Sequence, residues 1–151
     1  MAVTFNVPAE YVEDARNALV AELINDGQHL ENEQESLSSA TDDAHRDTCR
    51  EDRAGALRSL KADLGLLDQL PADLDARDTE LVGEFETLWH MIEAMSRLFV
   101  DQLIDLCKYS PLDTGDVAGL ADRLRWSAER ADLLDEQAVA ERDNRETEVT
   151  A

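Results

Sequence analysis

Residues 72–109 read ADLDARDTELVGEFETLWHMIEAMSRLFVDQLIDLCKY. Within them Leu74, Leu81, Phe85, Leu88, Ile92, Met95, Phe99 and Leu106 recur at spacings of three, four and seven. Apolar residues at that period share one stripe of an α-helix, and a sustained seven-residue repeat is the seam of a coiled coil. The spacing predicts one long helix from about 72 to 109, with a polar interruption at Gln102. Pro71 stands before its start and Ser110-Pro111 after its end, where proline opens or stops a helix.

Similar patterns lie on both sides. On the N-terminal side, Cys49, Ala56, Leu57, Leu60, Leu64 and Leu67 mark a helix over 43–69, with Thr41 and Asp42 as N-cap residues. Before that, Val12, Ala15, Leu19, Leu23, Leu30 and Leu37 mark a helix over 8–38. Gly27 and the polar run DGQHLENEQ weaken its middle, so a break would fall near 26–28. On the C-terminal side, Val117, Leu120, Leu124, Ser127, Ala131, Leu134 and Ala138 mark a helix over 114–143, and residues 144–151 read as a polar, fraying tail. Four helices of similar length with short connections predict an all-α protein, an elongated antiparallel four-helix bundle with coiled-coil-like seams.

Composition agrees with that class. Of 151 residues 43% are hydrophobic but only 5% aromatic, with three prolines and six glycines, a mix that suits a Leu/Ala-based helical domain. The apolar runs are too short to span a membrane, and the basic start and apolar stretch of a signal peptide are missing. Cys49 and Cys107 stand far apart without a C-x-x-C pairing, as reduced cysteines of a cytoplasmic protein would.

Charge is the strongest compositional signal, at −21. Acids outnumber bases by eight to one over 1–40, seven to five over 41–71, nine to three over 72–112 and eleven to five over 113–151. The excess is therefore spread along the chain and forms no acidic tail. Two lysines against twelve arginines fit a GC-rich genome or a salt-loving host. Glu10/Asp14, Glu22/Asp26, Glu31/Glu35, Glu80/Glu84, Asp101/Asp105 and Asp132/Glu136 are like charges four apart, each costing a few tenths of a kcal/mol. At about 1 M salt the screening length falls to roughly 3 Å, which relieves most of that repulsion.

The first seven residues differ from the rest. Val3, Phe5 and Val7 alternate with Thr4 and Asn6 ahead of Pro8, the period of a strand. Strand, proline and helix is also how a ribbon-helix-helix DNA-binding protein begins. In that fold polar strand residues, here Thr4 and Asn6, read bases. No base precedes Arg16, however, and phosphate contact supplies most non-specific affinity, so direct nucleic-acid binding is disfavoured. The segment is read instead as an extended arm that lays Val3, Phe5 and Val7 on protein.

Two other places carry more apolar surface than a simple bundle needs. In SRLFVDQLIDLCKYS, residues 96–110, Val100 and Ile104 lie off the Phe99/Leu106 seam, and a helix apolar on nearly all faces is normally enclosed. Trp126 and Leu133 share a face of the last helix offset from its seam, and tryptophan is enriched at interface anchors. With the arm, these seven residues are the expected partner-binding set.

No reaction is identified. His29, His45 and His90 have Glu33, Cys49 and Glu86 at helical spacing, but the Glu-x-x-His of a di-iron bundle does not occur. Nucleophile elbows and phosphate loops are also missing. The reading is a non-enzymatic structural or assembly protein without cofactor or metal. It would pack as a homo- or hetero-oligomer within a larger complex, such as a phage particle. The alternative is an acidic DNA mimic that occupies a basic nucleic-acid-binding protein, since its charge density approaches one per about 1.7 Å of duplex axis.

Overall fold

The computed structural model describes residues 2–72, 75–108 and 114–150, with side chains omitted at 114 and 148–150. Leu74, Tyr109, Ser110, Pro111 and Ala151 lie outside the described residues. The protein is an all-α bundle of four packed helices joined to a two-stranded ribbon. In chain order the elements are β1 (Ala2–Val7), a 3-10 turn (Ala9–Tyr11), α1 (Val12–Ser39), α2 (Asp43–Gln69), β2 (Thr79–Glu84), α3 (Phe85–Lys108) and α4 (Thr114–Thr150).

The helices form two hairpins. α1 and α2 are joined by three residues, and Asp42 starts α2 by accepting the His45 N–H at 2.7 Å, as expected of an N-cap. α3 and α4 pair so that Ser96 and Ser127 meet through their hydroxyls at 2.7 Å. Ser127 is fully buried, and its Oγ also donates to the Leu124 carbonyl at 2.8 Å. A polar side chain can occupy that seam because its hydrogen-bonding capacity is met. α1 packs on α3 to join the hairpins, and Leu19, Leu88, Met91, Met95, Phe99 and Leu134 fill the space between.

β1 closes the end of this core. It pairs antiparallel with β2, from Ala2 opposite Glu84 to Val7 opposite Thr79. Val3, Phe5 and Val7 point inward with Leu81, so a ribbon too small to stand alone is stabilised by the helices beneath it. The ribbon-helix-helix arrangement would pair this strand with its copy in a second chain; here its partner is β2 of the same chain. Both ribbon edges are covered at one rung. Val82 exchanges two hydrogen bonds with the Gln69 side chain, both at 2.8 Å. On the opposite edge the Gln137 amide, oriented to complement the strand, donates to the Thr4 carbonyl at 2.9 Å and accepts from the Thr4 N–H at 3.2 Å. Unpaired edges invite strand addition, and two glutamines stand in for the missing neighbours.

Several expectations are corrected. The helix predicted from 72 starts at Phe85, because Leu81 serves a strand instead. Leu81, Phe85 and Leu88 keep helical spacing, which hid the alternation of TELVGE. Gly83 lets that strand approach α2 closely. A Cβ there would stand 2.8 Å from Leu66 Cδ2, so β2 lies against α2 at glycine distance. α1 runs unbroken through Gly27, and α4 continues to Thr150 past the expected end at 143. The seam expected for α2 is rotated as well. Leu57 and Leu64 are exposed, while Asp63 is buried.

Candidate functional site

The predicted partner-binding residues divide into two groups. Val3, Phe5 and Val7 are spent inside their own chain, because β2 and the helices supply the surface the arm was expected to find elsewhere. Trp126 joins them. Its ring stacks on Tyr11 with centroids 4.0 Å apart and 8° between planes, and it meets Phe5 edge-on at 6.1 Å. Arg130 lies 6.0 Å from the same ring. The indole therefore pins β1 and the 3-10 turn to α4, with its Nε1 buried and without an acceptor. Burial raises the Tyr11 hydroxyl above its ordinary pKa, helped by Glu10.

Val100, Ile104 and Leu133 remain outside, at 42%, 49% and 49% exposure. Other pairs at helical spacing accompany them, Val20 with Ile24 on α1 and Leu57 with Leu64 on α2. Between α1 and α3 lies an open groove of about 320 Å³, lined by Ala21, Ile24, Asn25, Ala94, Leu98 and Asp101 among others. Arg97 of α3 bridges beside it to Glu22 of α1 at 3.4 Å. Burial raises the Glu22 carboxyl, and Arg97 draws it back down. A second tie between the hairpins, Arg123 to Asp14 at 3.8 Å, follows the same logic, with burial raising Asp14 and Arg123 opposing.

The residue that sequence reasoning missed is Asp63, buried to 4% exposure between α1 and α2. Its Oδ2 has no hydrogen-bond donor, and the charged groups that act on it are the carboxyls of Asp26 and Glu22. Desolvation first, then the hydrogen bond and repulsion from Asp26, push its pKa up to about 8. A readable signal did exist. Cys49, Ala56 and Asp63 follow at seven-residue intervals, so an aspartate occupies the third place of a small-residue seam. The nearby leucines concealed it, since an aspartate ordinarily sits outside a core.

The remaining titratable groups are dispersed. His29 lies 4.0 Å from Glu33, and His90 lies 3.6 Å from Glu93 instead of meeting Glu86. His45 Nε2 stands 3.8 Å from the buried Cys49 Sγ, and Cys107 is exposed. Among the described residues no three metal-type ligands converge, and no helix is long and apolar enough to cross a membrane. Comparison with protein-family models, with curated proteins and with solved structures finds no match.

Proposed function

We propose that this protein is a non-enzymatic helical assembly subunit that works by packing outer helix faces against other protein chains. The observation carrying this reading is the set of large apolar side chains left exposed at helical spacing on separate helices: Val20/Ile24, Leu57/Leu64 and Val100/Ile104. Such pairs are the anchors by which helices dock in grooves, and buried apolar area drives association. The net charge of −21 shapes the choice of partner. Like-charged copies repel at low ionic strength, whereas a basic chain is attracted and steered.

Light scattering coupled to size exclusion, at low and high salt and with candidate basic subunits, tests the proposal. The expected result is a defined oligomer or a stoichiometric complex. Val100→Ser with Ile104→Asn should weaken it at least tenfold while leaving helix content unchanged. A monomer at every salt concentration, with no complex formed, overturns the reading. Capture only of DNA-binding proteins, released by raised salt, would favour the acidic mimic instead.

A further inference from the structure

We propose that the α1–α2 hairpin is a proton-controlled latch, closed when the buried Asp63 carboxyl shares a proton with Asp26 and opened when that proton leaves for solvent.

The argument begins with the seam. Cys49, Ala56 and Asp63 form one stripe at seven-residue spacing, and all three are buried. At its core end the stripe sets Asp63 against Asp26 and Glu22 of α1. Cys49 and Ala56 lie apart from the main hydrophobic cluster, so the outer hairpin lies beyond the shared core, with Leu30, Leu37 and Leu60 only half-buried. On its outer side Asp26 lines an open pocket with His29 of α1 and with Glu51, Asp52 and Arg58 of α2, but among the described residues no cation acts on Asp63 itself. Arg97 of α3 is committed to Glu22, while His90 and Glu93 of α3 act on Glu22 with opposite signs. β2 meets α2 at Leu66 and Gln69, beyond Asp63.

Asp63 Oδ2 is buried without a donor, a costly state for an ionised carboxylate. With one proton present, Asp63 donates its O–H to the Asp26 carboxylate and the pair carries a single charge. Without it, Asp63 and Asp26 face each other across the seam as like charges, with Glu22 beside them tied to Arg97, and separation of the helices relieves the repulsion and rehydrates Asp63. Burial and Asp26 hold the Asp63 pKa at about 8, so opening stays pH-dependent up to mildly alkaline pH. Because opening releases one proton, its equilibrium constant should rise about tenfold per pH unit until Asp63 ionises in the closed hairpin.

Cys49 reports the opening. In a Cys107→Ser background its labelling by a thiol reagent is followed from pH 6 to 9, with far-UV dichroism confirming that the helices persist. Dividing by the rate in Asp63→Asn removes the thiol's own pH dependence. The expected result is a ratio that climbs more than tenfold over this range. Asp26→Asn, which gives Asp63 a permanent donor, should flatten the profile as well and serves if Asp63→Asn fails to fold. A ratio that stays constant with pH, or a profile unchanged by either substitution, overturns the proposal.

Discussion

Replacing Phe5 with alanine tests whether the N-terminal strand belongs to this chain's core or to a partner. Phe5 is buried beneath the helices and meets Trp126 edge-on. Truncating a buried phenylalanine costs about 3–5 kcal/mol, and the aromatic pair accounts for roughly 0.5–1.5 kcal/mol within that. With a urea slope of about 2 kcal/mol/M, the midpoint should fall by roughly 1.5–2.5 M. Removing residues 2–7 goes further, because Val3, Phe5 and Val7 each lose about 1.5–3 kcal/mol of burial. The total, roughly 5–9 kcal/mol, rivals the whole stability of a typical domain, and Leu81 is uncovered as well. The truncated chain should therefore lose cooperative unfolding, which far-UV dichroism and tryptophan fluorescence would both register. Fluorescence is informative because one of the two tryptophans, Trp126, lies directly under the strand. If Phe5→Ala unfolds within about 1 kcal/mol of the native chain but no longer assembles, the strand serves a partner and the core assignment is refuted.

The buried carboxyl makes a pH prediction of definite sign. Asp63 keeps its proton in the folded chain up to about pH 8, against an ordinary value of 3.8, so its contribution is complete below about pH 4 and is lost progressively as pH rises to 8. Asp63→Asn should thus be near-neutral at pH 4 and stabilising by about 2–4 kcal/mol at pH 7.5; equal gains at both pH values in urea titrations would contradict the assignment. Gly83→Ala forces Leu66 to move from a contact of 2.8 Å and should cost about 1–3 kcal/mol by overpacking; a neutral effect would show that Leu66 has room to yield. Gln69→Ala with Gln137→Ala uncovers both ribbon edges and should raise concentration-dependent association, read by light scattering. A double variant as monomeric as its parent argues against edge protection. The melting temperature should rise with salt as like-charge pairs are screened, and a flat response would mean that those pairs are already neutralised.

Helix positions were largely legible because period and punctuation act locally. Leu88, Ile92, Met95 and Phe99 were read as one buried face, and Asp42 as a cap, from residues within a few turns. Two kinds of feature escaped. β2 could not be separated from α3, since Leu81 keeps a heptad relation to Leu88, and only the arrival of β1 from about 80 residues away makes TELVGE a strand. Likewise the surplus apolar surface was visible, but not which part of it the chain would cover itself. Val100 and Ile104 stayed outside, whereas Trp126 was claimed by Tyr11 and Phe5.

The sequence by itself determined the helical class, the hairpin connections, the acidity and the alternation of the first strand. These depend on short-range periodicity, capping and composition. Only the tertiary structure decided where that alternation would be used and which face of α2 would be buried. Both are contests between long-range packing options. Folding β1 onto β2 resolved the first by burying three apolar side chains at once. The second placed Asp63, rather than Leu57 or Leu64, against α1, leaving two leucines in water and a carboxyl that must keep its proton.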